Sequence, residues 1–348
     1  MPVSKPFITH GSESAAFWQI GILWQMMATG ALTDGKLVLI DQVLQLSGAG
    51  PTTHTHVQDE GLYVVEGKVT FNAGGKSGIV ARAGTFVAVP GLTEHSFKVE
   101  EPNSRLLNFY LPAGFEMLLM GTARPAERRE PPPPNLIQEW LPPRWVTSKL
   151  NDDYGVRNKF SDPLVDPPNP DYMSTEPTPG ATIFPFAANI SDARRHNVFH
   201  GNALWGRLAS SQETGASYSL FELKLRRGAL HGPRVFTKRD VMVFVLSGNM
   251  SFFLSDCSQT AKEGALVWIP RATVHSIQTD SDTAACLYLQ TPGGFETYID
   301  FVGTPTSKTS PPSPDFEDRS VAQRGKEYLY ESLGMQDVAV PDPLKLSA

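Results

Sequence analysis

Four side chains in the first hundred residues of this chain could bind one ion: His54, His56, Glu60 and His95. On a β-strand, residues two apart point to the same face, so the imidazoles of His54 and His56 can meet a single cation. Glu60 follows where the chain begins to turn. Residues 62–71 then read as two short strands around a turn at Gly67, so a second strand can bring Glu60 to the same place. His95 opens a further strand, with Phe97 and Val99 along it. Three imidazoles and one carboxylate suit a divalent first-row metal (copper, iron, nickel, manganese or zinc), whereas calcium and magnesium prefer all-oxygen sets. One such ion per chain is expected. Glu60 is the candidate catalytic residue, able to leave the ion and accept a proton.

The spacing around these residues is regular. Gly48 to Gly67 follows G-x5-H-x-H-x3-E-x6-G, and Gly84-x5-Pro90-x4-His95 comes after it. Parts of the pattern recur about 180 residues later: Pro90 as Pro270, His95 as His275, Gly67 as Gly248, and Leu23-Trp24 as Leu204-Trp205. The segment from Pro112 to Glu116, Pro-Ala-Gly-Phe-Glu, returns from Pro292 as Pro-Gly-Gly-Phe-Glu. A duplicated domain follows. Laid on the second copy, His54 falls on Val235, His56 on Thr237 and Glu60 on Val241, so only His95 keeps a counterpart. His231 lies too early in the chain to replace them, although an irregular loop could bring it and Asp240 closer. A metal-free second copy is therefore expected, with His275 as a core or pocket residue.

The elements that must hold the first site are strands. Short apolar runs alternate with glycine and turn residues as far as Leu111, and no long helical period appears. This is the signature of an all-β barrel or jelly roll. The expected organisation is an N-terminal barrel over residues 1–120, a long proline-rich linker over 121–185, a C-terminal barrel over 186–303 and a tail over 304–348. Within the linker, residues 135–140 could form a helical turn, and the whole connection could drape over a barrel mouth. In the tail, a helix is expected between Phe316 and Leu333. Ser320 would cap it, Gly334 would end it, and Tyr328, Tyr330 and Leu333 would dock it.

A formal charge of −6 without a basic run argues against a nucleic-acid partner. The apolar stretch from Ala15 to Met27 is interrupted by Gln19, Gly21 and Gln25 and is too short to span a bilayer. The first residues lack an apolar signal core, so the cytosol is the expected compartment. The two cysteines, Cys257 and Cys286, do not suggest a disulfide framework and read as buried free thiols. Edge strands leave a homodimer open.

The metal pattern resembles the cupin family, and its duplication resembles a bicupin. Residues 23–30 with Asp34-Gly35-Lys36, the Pro-Ala-Gly-Phe-Glu segment and the long linker are similar to the fungal quercetin 2,3-dioxygenase family. That resemblance implies two jelly-roll β-barrels in one chain, and an ion held by His54, His56, Glu60 and His95. It also implies a flavonol pocket lined by Phe97, Leu62 and Trp24, and opening of the flavonol heterocycle with dioxygen. Leu107 and Phe109 could add apolar walls, although core packing is their simpler role. The small aromatic or polyketide-like substrate could instead meet a non-oxidative bicupin, such as a cyclase, dehydratase, isomerase or decarboxylase, since a fold does not determine chemistry. A binding or storage protein is a third class.

Overall fold

A computed structural model describes residues 4–46, 50–133, 144–158, 184–193 and 195–339 of the chain. The chain divides into two compact units, one spanning Gly11–Ala187 and the other Met1–His10 with Ala188–Ala348. Both are built chiefly from antiparallel strands, and the few helices are short.

The Gly11–Ala187 unit has two sheets. In the larger, Ile22–Ala28, Val38–Leu44, Ser104–Leu111, Asp59–Glu66 and Phe86–Val89 lie side by side. In the smaller, His95–Val99 lies between His54–Thr55 and Lys68–Ala73. The strands alternate as a period of two requires: Leu62, Val64, Leu106 and Tyr110 share one apolar core with Trp24, Ile40, Val69 and Phe71. Gly67, at φ 82°, turns Asp59–Glu66 into Lys68–Ala73. A Cβ there would come within 2.2 Å of Ser104 Oγ, so only glycine permits this turn.

The second unit repeats the plan with longer, bent strands, notably Ser219–Phe236 against His275–Thr291. Its core gathers Trp205, Phe221, Tyr288 and Phe295. Phe7–His10 pairs in this unit, against Ala265–Ile269, rather than in the N-terminal barrel expected over 1–120. Backbone pairing explains the difference, because the edge of Ala265–Ile269 supplies the donors and acceptors that this short segment needs.

The segment expected as a linker carries structure of its own. Arg124–Pro125 pairs with Phe17 and Trp18, and a helix runs from Arg144 to Asp153. Arg157–Asn158 then pairs with His54–Thr55. The helical turn expected over 135–140, like Gly48, lies outside the described residues.

The tail helix spans Gln323–Leu333, and Ser320 does not cap it; Ala322 occupies the cap position with no side-chain bond. Gly334 closes it at φ 66°. Leu333 is buried and the Tyr330 ring lies 5.8 Å from that of Tyr298, while Tyr328 is 71% exposed, so Tyr328 does not dock the helix. Cys286 is a buried free thiol; Cys257 is free but exposed, contrary to expectation. Among the described residues no helix is long and apolar enough to cross a membrane.

Candidate metal centre

The strand pairing that builds the smaller sheet also builds the site. His95 is the direct cross-strand partner of His54, and His56 follows two residues beyond on the same face. Their ring centroids lie 4.2 Å (His54–His95), 4.9 Å (His56–His95) and 5.6 Å (His54–His56) apart. One ring nitrogen from each comes within 4.8 Å of the others, and all three residues are buried.

Each ring is oriented in the same way. Nδ1 lies 2.9 Å from the Thr52 carbonyl in His54, 3.0 Å from that of Gln58 in His56 and 2.8 Å from that of Thr93 in His95. A carbonyl accepts only, so Nδ1 carries the proton and Nε2 presents its lone pair inward. Metal-binding imidazoles are held in this way, with the other ring N–H donated to a backbone carbonyl. Nε2 of His56, Nε2 of His95 and Oε2 of Glu60 are buried with no hydrogen-bond partner, although buried polar atoms are normally satisfied. A transition-metal ion would satisfy all three, so the residues present fit the group.

Glu60 comes from the larger sheet. Its Oε2 lies 2.8 Å from His95 Nε2 and 3.4 Å from His56 Nε2, close approaches that are not aligned as hydrogen bonds. Asn108 Nδ2 donates to Oε1 at 2.6 Å, and Tyr110 is the cross-strand partner of Glu60. Burial alone would raise the Glu60 carboxyl, but the His95 charge and the close approach of the His56 and His95 rings outweigh it and hold the group well below its usual range. Burial also dominates at His54, joined by the charges of His95 and His56, and lowers that ring to about 3. At His95 burial, which lowers the ring, is outweighed by the Glu60 carboxylate, which raises it above its ordinary value. The four groups thus form one strongly coupled electrostatic unit.

A cavity of about 280 Å³ opens onto His54, Glu60 and His95, while His56 lies behind, against Tyr110 and Phe115. Trp24 and Phe97 line it. Leu62 does not: it is 1% exposed and packed in the core, one alternation further along the Glu60 strand. Leu107 and Phe109 are wholly buried away from it, and the Phe109 ring stacks on Phe86. Tyr110, Phe115 and Leu119 form much of the wall and went unrecognised in the sequence. Asn151 and Val156, from the expected linker, complete the lining.

The second unit shows what replaces the site. Arg234, not Val235, pairs with His275 as His54 pairs with His95. Phe236, not Thr237, accepts from the Ala272 amide as His56 accepts from that of Leu92. The offset is 180 here and 181 at Asp59 and Asp240, which bond the amides of Gly91 and Arg271 respectively. The extra residue therefore lies between Phe236 and Asp240. A guanidinium and a phenyl ring occupy two ligand positions, and among the described residues only His54, His56 and His95 form a cluster able to hold an ion. His231 does approach, its ring 5.2 Å from that of His275, whereas Asp240 is taken by Arg271.

Comparisons with known proteins agree with this geometry. A cupin domain model matches residues 42–107, which hold His54, His56, Glu60 and His95. Solved structures of oxalate decarboxylase from Bacillus subtilis superpose over 84% of this chain with a TM-score of 0.55 at 14% identity, covering 77% of that chain. A second structure of that enzyme, from a study of its Mn(II) centres, gives 0.56 and covers 78% of its chain. The chain carries a cupin domain over residues 42–107 and has a two-unit, bicupin-like fold. This bicupin is also 21% identical, over 316 residues and 88% of each chain, to a quercetin 2,3-dioxygenase of Bacillus subtilis (strain 168).

One part of the sequence resemblance has a structural explanation. Glu116 accepts from the amides of Gly30 and Gly114, and Glu296 accepts from those of Ser211 and Gly294. The Pro-x-Gly-Phe-Glu segment therefore closes the same turn in both units of the bicupin, with or without a metal site.

Proposed function

We propose that this bicupin is a metal-dependent dioxygenase that acts with dioxygen on a flavonol-like phenol or enol. The observation that carries the reading is Glu60. The carboxylate stands between two inward-facing imidazoles, with one oxygen held by Asn108 and the other at the cavity edge. His54, His56, His95 and Glu60 would hold one divalent transition metal. A bound metal would supply Lewis acidity, lowering the pKa of a phenol or enol and linking it to dioxygen.

The remaining steps belong to this chain. Glu60 Oε2 accepts the substrate proton, and Asn108 keeps the carboxylate oriented while it does so. Phe97, Phe115 and Trp24 hold a flat ring system and exclude water, which strengthens the electrostatics of the site. Among the described residues no lysine or arginine lines the cavity, so a small dianion such as oxalate finds no cationic side chain among them. This supports an aromatic substrate over a dicarboxylate one. The similarity to quercetin 2,3-dioxygenase supports the same choice.

The test is incubation of the metal-loaded protein with quercetin in air, following the flavonol band and dissolved oxygen together. Loss of the band with matching oxygen uptake is expected. Turnover without oxygen uptake would transfer the protein to the non-oxidative lyases or isomerases. No turnover and no bound metal would leave a binding protein.

A further inference from the structure

The cavity continues away from the ion-binding groups and ends on two glutamine side chains. Gln42 is 1% exposed and Gln19 half-buried; both line the cavity, and the side-chain oxygen of each is buried without a hydrogen-bond donor. The amide orientation of Gln19 is determined by its neighbours. Thr122 Oγ1 gives its proton to the Leu118 carbonyl at 2.7 Å, so it can only accept from Gln19, whose Nε2 lies 2.8 Å away. Gln19 Oε1 is therefore left as an acceptor.

The second unit provides an internal control. Trp24 pairs with Gln42 as Trp205 pairs with Leu223. The unit without the metal site places a fully buried leucine where the unit with the site places a glutamine. Burying an amide oxygen without a partner is unfavourable, so the packing of this position does not call for a glutamine.

Position gives the reach. Glu60 pairs with Tyr110, and Gln42 pairs with Leu106, four residues along the same strand. At about 3.3 Å per residue the two levels are roughly 13 Å apart. A multi-ring phenol can span that distance; a single ring cannot.

We propose that Gln42 and Gln19 form a distal hydroxyl-binding subsite, selecting phenols that carry a second hydroxyl remote from the one that meets the metal. The inference rests on the cavity being the substrate site of the proposed function. It adds the class of substrate: a ring system hydroxylated at both ends. The far hydroxyl donates to Gln42 Oε1 or Gln19 Oε1, and a ligand lacking it leaves both oxygens buried and unpaired.

The test is equilibrium binding without oxygen, on metal-loaded protein. The probes are the parent flavonol, with its single enolic hydroxyl, and derivatives with one added hydroxyl on either distal ring. Wild type should bind one hydroxylated derivative at least about tenfold more tightly than the parent. Gln42→Leu, which installs the residue the second unit tolerates, should erase most of that preference. Its bound metal should stay unchanged, and it should bind the parent at least as tightly as wild type does, because no amide oxygen is left unpaired there. Gln19→Met is the second variant and should weaken the same preference. Absence of a preference in wild type, whether both probes bind or neither does, overturns the subsite. So does a preference that survives both substitutions. Because oxygen is excluded, a glutamine-dependent preference in a protein that consumes no oxygen would uphold the subsite and remove the dioxygenase reading.

Discussion

Asn108 Nδ2 approaches Glu60 Oε1 to 2.6 Å, within the cavity-facing end of the larger sheet. This bond holds one carboxylate oxygen and leaves the other for His95, His56 and an ion. Asn108→Leu keeps a similar volume but removes the donor and frees the carboxylate to rotate. We expect metal affinity to fall roughly 10- to 100-fold, as it does when a side chain that orients a metal ligand is lost. A competition titration against a chelator reads this directly; an unchanged dissociation constant would remove Asn108 from the site.

A ligand histidine of the first unit and the histidine that the second unit keeps at the His95 position should behave oppositely. His54→Ala removes a ligand and should release the metal and abolish turnover together. His275→Ala lies in the unit where Arg234 and Phe236 occupy ligand positions, so bound metal per chain should be unaffected. Loss of the ion from the His275 variant would show the account of the second unit to be wrong.

His275 should make the protein sensitive to acid. Burial lowers its ring from 6.5 to about 4, and burial likewise holds His231 well below its ordinary value. Between pH 6.5 and 4 the unfolded chain takes up a proton at His275 that the folded chain refuses, so stability falls as pH drops through this window. The loss from His275 alone is about 3 kcal/mol at full extent. Urea midpoints of wild type and His275→Gln should converge as pH falls from 7 to 4. Parallel curves across that range would contradict the expectation.

Phe97 and Leu62 separate wall from core. Leu62→Ala opens a void among wholly buried neighbours and should cost about 2–5 kcal/mol, read as a lower melting temperature. Phe97→Leu removes a partly exposed ring from the cavity and should raise KM while the melting temperature moves little. The reverse pattern would exchange their roles.

The segment Arg144–Asn158 should protect the site from solvent. It pairs with the strand of His54 and contributes Asn151 and Val156 to the cavity. Val156→Asp places a charge at a 3% exposed position and should weaken phenol binding at least about tenfold while leaving the ion bound. Metal content and ligand affinity measured on one sample distinguish this from loss of the whole site.

Spacing along the chain determined the strands that carry His54, His56 and His95, because a period of two and a glycine turn are local properties. The duplication was equally legible, since both copies use the same turns at Pro112 and Pro292. Tyr110, Phe115 and the two glutamines were not legible as cavity residues. An apolar or amide side chain on an alternating strand carries no local mark of whether it meets core or cavity. The same limit misassigned Leu62, whose alternation matches that of Glu60 but whose neighbours fill the space in front of it. Tertiary pairing also decided the fate of the second site, where a one-residue offset places Arg234 opposite His275 and the Phe236 ring beside it. That register is set by long-range hydrogen bonds between strands, and sequence spacing alone does not contain it.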